Sequence, residues 1–587
     1  MSALSELTAI AADAFEQVGI DRSYGTVVVS ARPDLGQFQC NGALPAAKSA
    51  GGNPRELADE VARTLAEDKR FSDVSVAGPG FVNLTLADGY LGQLMRRVAN
   101  DGRLGLARVE TPSTVIVDYA GPNVAKSMHV GHLRATIIGE SLKRLFRHVG
   151  HEVLGDAHFG DWGRQMGMLI VVTEQHMPDL PYFDAGYTGS YPDESPVTLE
   201  DLQEWYPAIS TQADDDEELA SAVRRATTEL QSGRAGYVAL WEHFVRVSRE
   251  SQERDFADLG VEFDLWYGES TVRQRLAPLV ERAVDAGVAR TDAGALVIDV
   301  AEAGDKNEMN PLIIETGHGA YLYGTTDLAT VEMRVDELKA DLILYVVDAR
   351  QANHFAQVFR AARRAGIAGD ATLEHIRFGT MNGPDGKPFK TRAGGVLRLR
   401  DLIELVTGAA LDRLNESHLA SDYPEGERLE IARMVGVAAL KFGDLINNRT
   451  SNYTFDIDRF TSFEGKTGPY LQMAAVRMKS IMRRAAEREL APGEIVAPTV
   501  EAERRLMLRL LQLPEAIERA VELRTPSQIA EFAYETASDF STFYEACHIL
   551  SEEDPERQAS WLALLDTTRR SVELLLELLG IETPERM

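Results

Sequence analysis

Apolar positions follow two periods along the chain, and the changes between them divide it into segments. Up to about residue 108, "GTVVVS" and "GFVNLTL" read as strands. "NPRELADEVARTLAED" reads as a helix with Asn53 as N-cap, Pro54 in the first turn, and Leu57, Val61 and Leu65 on one buried face. Gly-Pro-Gly in "AGPGF" marks a turn between strands. Val115, Ile116 and Val117 then form a continuous apolar run, the pattern of a strand buried on both faces. Ile138, Leu142, Leu145 and Val149 make one helical stripe, closed by Gly150 as C-cap, and "HEVLGD" resumes as a strand. Strand, loop, helix and strand in that order predict a βαβ unit and a parallel sheet.

Residues 172–255 are helical and polar and read as an insertion, with "YTGSYPDESP" as a loop. The sheet is expected to resume at "ALVIDV" (295–300) and again in "ADLILYVVDARQANHF" (340–355). "FGTMNGPDGKPFKTRAGG" (378–395) is a loop rich in Gly and Lys. From about residue 405 nearly every segment is helical, apart from a loop at "APGEIVAPT". The fold class expected is α/β: a Rossmann-type parallel-sheet catalytic domain over 109–400, a small α+β domain over 1–108, and an all-α bundle over 401–587.

Composition narrows the class. With 44% hydrophobic and 26% charged residues the chain is an ordinary globular one, and its 587 residues exceed a single core. No apolar run is long enough to span a bilayer and the N-terminus lacks a signal-peptide pattern, so a cytoplasmic location and no membrane partner are expected. Two distant cysteines, Cys40 and Cys547, exclude a disulfide framework and suit a reducing compartment. The net charge of −30 argues against nucleic-acid binding by the chain as a whole, although local basic patches can override a total.

The segment richest in chemistry is "GPNVAKSMHVGHLRATIIGE" (121–140). His129 and His132 are three residues apart, a spacing compatible with metal ligation. No Glu lies between them as in H-E-x-x-H and no third ligand is near, so no protein metal site is expected. The pair lies instead after a buried strand and at a helix N-terminus, the crevice where ligands bind in open α/β sheets. Helix amides attract anions, Gly131 permits close approach, and Lys126 adds charge, which suits a phosphate under nucleophilic attack. Lys387, Lys390 and Arg392 in "GKPFKTR" read as a basic lid over a triphosphate; Pro388 after Gly386-Lys387 rules out a Walker A loop.

"HVGH" resembles the His-Ile-Gly-His signature of class I aminoacyl-tRNA synthetases. "GPNVAKSMHVGHLR", "GDWGRQMGMLI", "TTDLA", "DARQANHF", "DGKPFKTRAGG" and "LGIETPERM" together resemble the arginyl-tRNA synthetase family, as do "CNGALPAAK" and "VAGPGFVNL" near the N-terminus. The resemblance implies ATP-dependent activation of L-arginine and its transfer to the 3′ end of arginine tRNA, with exchange activity that depends on the tRNA. It implies a helical anticodon-binding domain at 401–587, a tRNA-binding N-terminal module with the Asn41 region facing the tRNA elbow, and a monomer. The ATP region would run through Pro122, Asn123, Val124, Ala125, Lys126, Ser127, Met128, His129, Val130, Gly131 and His132. Lys126, His129, His132, Lys387 and Lys390 would be catalytic. Arginine would meet Asp118, Asn123, Tyr323, Asp327 and Gln351. Mg2+ is expected with ATP.

One departure stands out. The second class signature, K-M-S-K-S, is matched poorly by "GKPFKTR", and the position of its second lysine falls at Thr391. Lys126 is expected to supply the missing charge. For tRNA, "VRMKSIMRRAAER" (476–488) is the best basic stripe, with Arg477, Lys479 and Arg484 as candidate contacts and Arg477 and Arg484 on one face. Two other classes are disfavoured: a nucleotidyltransferase acting on a small metabolite would not need the long helical domain and N-terminal module, and a non-catalytic RNA-binding relative would be expected to have lost the histidines or pocket residues that remain here.

Overall fold

The computed structural model describes residues 2–383, 386, 387, 397–417, 419 and 422–587. At its centre is a four-stranded parallel sheet, with Thr114–Asp118 between Glu152–Asp156 on one side and Leu342–Tyr345, then Thr372–His375, on the other. The first strand therefore lies at the point where the strand order reverses, the place where such sheets bind ligands at their carboxyl ends. Its apolar run is explained by two cores. Val115 and Val117 face one, and Ile116 faces the other. Helix Val130–Val149 makes the crossover from Thr114–Asp118 to the edge strand Glu152–Asp156 and ends at Gly150, whose φ of +110° is the left-handed conformation a C-cap glycine provides.

One sequence expectation fails. "ALVIDV" does not rejoin the parallel sheet. Ala295–Ile298 is the middle strand of a separate antiparallel sheet, flanked by Ala289–Asp292 and Leu312–Glu315. The two-residue Ala293-Gly294 turn, with φ of +46° and +86°, closes it as a hairpin. An apolar run of this length suits either sheet, and the hairpin turn decides between them.

The N-terminal segment forms a four-stranded antiparallel sheet in the order Val27–Val29, Phe38–Cys40, Phe81–Leu86, Phe71–Ala77. The helix Pro54–Ala66 has Asn53 as its cap, as the sequence predicts. The C-terminal half is helical, with the loop at 491–499 and a short strand, Tyr453–Thr454, paired in parallel with Met381–Asn382. Contacts tie the two ends of the chain together: Arg504 pairs with Asp88 at 2.8 Å, and Ser2 donates to Glu515 at 2.8 Å. Among the described residues no helix is long and apolar enough to cross a membrane.

The signature helix is locked to the rest by a buried Arg134–Asp444 pair at 2.9 Å and by close approach to Tyr119. A Cβ on Gly139 would lie 2.3 Å from the Tyr119 ring. Gly139→Ala is therefore expected to cost about 1–3 kcal/mol through overpacking, seen as a lowered denaturation midpoint. An unchanged midpoint would show that the ring can move aside.

Candidate active site

Strand Thr114–Asp118 delivers the chain to the signature turn through three residues with positive φ: Ala120 at +74°, Gly121 at +58° and Ala125 at +60°. Alanine rarely adopts this conformation, so surrounding contacts must enforce it. Asn123 approaches Gly160, where a Cβ would fall 2.3 Å from the Asn123 Oδ1, and Val124 N–H donates to Gly160 at 3.1 Å. Pro122 and Val124 are buried, whereas Lys126 is exposed and lies near enough to lower the pKa of His129.

His129 is the N-cap of helix Val130–Val149. Its Nδ1 accepts from Gly131 N–H at 3.0 Å, and His132 Nδ1 accepts in return from His129 N–H at 3.1 Å. The two rings lie 3.9 Å apart. An imidazole whose Nδ1 accepts must carry its proton on Nε2 when neutral. Burial, then Lys126, pushes the His129 pKa down. Burial, then His129 and Lys126, pushes His132 down to about 3. Both rings are thus neutral donors with Nε2–H available, and the positive charge at the turn comes from Lys126. Helix capping uses only Nδ1 of each ring and leaves Nε2 outside the cap.

The five residues expected around arginine fall into two groups. Asp118 is buried and ends its strand in register with Tyr345 and Asp156. Its carboxylate pairs at 2.7 Å with Arg334, which is itself 0% exposed and also pairs with Asp156 at 2.6 Å. Burial opposes the Arg334 charge, but Asp118, Tyr345 and Asp156 together hold its pKa well above the ordinary value. Among the described residues Nε and Nη1 of Arg334 have no hydrogen-bond partner, and the guanidinium lies 5.4 Å from the centre of the Tyr345 ring. Asp118 is therefore engaged by a resident guanidinium below the crevice.

Asp327 and Tyr323 lie on helix Tyr323–Asp336, and Tyr323 is 73% exposed at its start. Asp327 accepts from His354 Nε2 at 2.5 Å, and this bond raises the His354 pKa against the effect of burial. Gln351 is exposed at the end of the turn Ala349–Gln351, three residues before His354.

Sequence reasoning missed Glu269. Its N–H bonds to Phe159, whose neighbour Gly160 touches Asn123, so it belongs to the same crevice. Burial raises its pKa to about 7, with Asp161 and Asp327 adding to the effect and His158 opposing it. Glu269 also raises the pKa of Tyr323, which burial already lifts. Asp161 is buried and held by Ser270 at 2.5 Å. The arrangement is an acidic recess of Glu269, Asp161 and Asp327 beside a turn of neutral imidazoles and one lysine. Such a recess fits a cationic fork, because carboxylates match a guanidinium in plane and charge.

Three family profiles match the chain in order: "Arginyl tRNA synthetase N terminal domain" over 5–86, "tRNA synthetases class I (R), catalytic domain" over 93–457, and "DALR anticodon binding domain" over 471–587. The chain belongs to the arginyl-tRNA synthetase family. Arginine–tRNA ligases of Maricaulis maris and Alkaliphilus oremlandii are 50% and 47% identical to it, each covering 100% of this chain, with 100% and 99% of their own length matched. The solved arginyl-tRNA synthetase of Thermus thermophilus has the same fold, with a TM-score of 0.79 at 23% identity over 100% of both chains.

The basic loop of this synthetase is anchored at both ends beside the signature. Asn382 pairs with Thr454, and after the loop Leu397 and Leu399 bond to Val130 and Met128 at 3.1 and 2.9 Å. Lys387 is exposed within it; Lys390, Thr391 and Arg392 lie outside the described residues. On the helix Gly468–Glu487, Arg477 and Arg484 are exposed. Lys479 is instead tied to the C-terminal segment, 2.6 Å from Glu585. Replacing Arg334 by Met should leave Asp118 and Asp156 uncompensated and lower stability by about 3–5 kcal/mol. Chemical denaturation measures this, and a loss below about 1 kcal/mol would mean the two carboxylates do not need it.

Proposed function

We propose that this site carries out its family's two-step reaction. The carboxylate of L-arginine attacks the α-phosphate of ATP and pyrophosphate leaves. The 3′ hydroxyl of arginine tRNA then attacks the arginyl carbonyl and AMP leaves. The observation that carries this reading is the juxtaposition in one crevice of two Nε2–H imidazoles, one exposed lysine and an acidic recess.

In the first step charge builds on the phosphate oxygens. His129 and His132 donate to them from a fixed frame, which needs no reorganisation as the bond breaks. Lys126 supplies the positive charge, and Lys387 and Lys390 bring more from the loop. Mg2+ arrives with ATP as part of the substrate and neutralises the departing pyrophosphate. Helix amides from Val130 onward add a partial positive end.

The guanidinium of arginine is assigned to Asp327 and Glu269, with Tyr323 covering it. Asn123 and Gln351 are assigned to the backbone end of the substrate. Asp118 is assigned a supporting part through Arg334, since its carboxylate already has a partner. A site with several buried polar groups rejects analogues that leave them unpaired, so selectivity needs no second, editing site. Arg477 and Arg484 are assigned to tRNA contact. One chain supplies every group named, so a monomer suffices, and the buried, unpaired Cys40 and Cys547 accord with a cytoplasmic setting.

Lys126→Ala should reduce arginine-dependent ATP–pyrophosphate exchange, measured with arginine tRNA present, by at least about tenfold, or about 1.4 kcal/mol. A smaller loss would remove Lys126 from the phosphate site. The recess also predicts a pH dependence. Below its raised pKa His354 is charged and competes for Asp327, and below about 7 Glu269 is protonated. Raising the pH removes the His354 charge from beside Asp327 and ionises Glu269, so the arginine KM should fall between about pH 6 and about pH 8. His354→Asn should flatten part of that slope. A KM that does not change with pH in the parent enzyme would argue against both assignments.

A further inference from the structure

The polar helical segment 172–255 has no part in the reaction as assigned above. Three of its side chains nevertheless hold the signature turn. Ser248 and Gln252, on helix Ala235–Asp258, are 0% and 1% exposed. Ser248 Oγ accepts the N–H of Ala125 at 3.0 Å and donates to Phe244 at 2.7 Å. Gln252 Nε2 donates to two carbonyls of the turn, Asn123 at 2.8 Å and Lys126 at 3.1 Å. These contacts bracket Ala125, whose φ of +60° turns its backbone groups away from any helix or strand partner.

A second helix of the segment, Leu199–Asp215, brings Tyr206 to the other side. The Lys126 ammonium lies 5.3 Å from the centre of the Tyr206 ring. Tyr206 also lies close enough to Tyr323 to raise that phenol's pKa, alongside burial and Glu269, so it borders both halves of the crevice. A ring face attracts an ammonium without occupying any of its three N–H donors. The lysine is thereby restrained on its flexible stem, while its hydrogens stay available to a phosphate.

We propose that the helical insertion is a positioning element for the activation step: Ser248 and Gln252 fix the backbone on both sides of Ala125, and Tyr206 holds Lys126 where the triphosphate enters. This rests on the phosphate role given to Lys126 above. Restraining a catalytic cation before the substrate arrives removes an ordering cost from the transition state. The effect therefore belongs in kcat for exchange rather than in the KM for arginine.

The test uses the full-length chain, arginine, ATP and arginine tRNA. Tyr206→Leu removes the π face and Tyr206→Phe keeps it. The Leu variant should lose about threefold to thirtyfold in exchange kcat with the arginine KM unchanged, and the Phe variant should retain the parent rate. In a Lys126→Ala background, Tyr206→Leu should cause no further loss. Gln252→Met, which keeps length and removes both donors, should lower kcat in the same way. An impaired Lys126→Ala beside an unimpaired Tyr206→Leu overturns the inference alone. So does a Tyr206→Leu loss that persists undiminished without Lys126, because a merely structural ring would give that result. Full activity in Lys126→Ala would instead remove the phosphate role on which the inference depends.

Discussion

The start of the signature helix imposes one constraint on which the proposed site depends: two imidazoles cap the helix and, in the role proposed for them, must serve a ligand at the same time. The two roles are compatible because the nitrogens are divided. Each Nδ1 accepts a backbone N–H, which settles the tautomer and puts the proton on Nε2. Protonating either ring would turn its capping acceptor into a donor. The surroundings oppose that protonation through burial and a nearby lysine. Neutral donors and a separate cation are thus consequences of helix capping as much as of catalysis.

The same division between scaffold and chemistry appears below the crevice. Asp118, Asp156 and Tyr345 end three adjacent parallel strands in register, so two carboxylates meet in a buried place. Left alone they would repel, and one would take up a proton. Arg334 reaches them from the helix that carries Asp327 and places its single positive charge between the two. The helix bearing Tyr323 and Asp327 is thereby fixed to the sheet by an ion triad in its last turn. Breaking one arm of such a cluster costs far more than forming it gains, so the triad acts as a geometric lock.

Charge at the surface is arranged differently from charge at the site. The chain is strongly acidic, and much of its basic character is spent on internal partners: Lys479 on Glu585, Arg504 on Asp88, Arg433 on Glu430 and Glu582. Among the described residues, the cations left exposed near the crevice and on the helix Gly468–Glu487 are therefore few. A polyanion approaching such a surface is guided by a small number of positive positions against a repulsive background, which favours one orientation over many.

The apolar periods by themselves determined the βαβ unit, the helical C-terminal half and the helix that His129 begins, because each depends on burial along a single segment. The order of motifs determined the family. Proximity between distant segments was decided only by the tertiary structure. Glu269 lies in a stretch with no periodicity, and its raised pKa comes from burial beside Asp161 and Asp327, neither of which is near it in sequence. Asp118 was legible as a strand-end carboxylate, yet its partner Arg334 is one of many helical arginines until the helix is packed under the sheet. "ALVIDV" reads the same whether it joins a parallel or an antiparallel sheet, and the neighbouring hairpin turn chose. Periodicity records which face of a segment is buried; which partner covers that face is a property of the assembled fold.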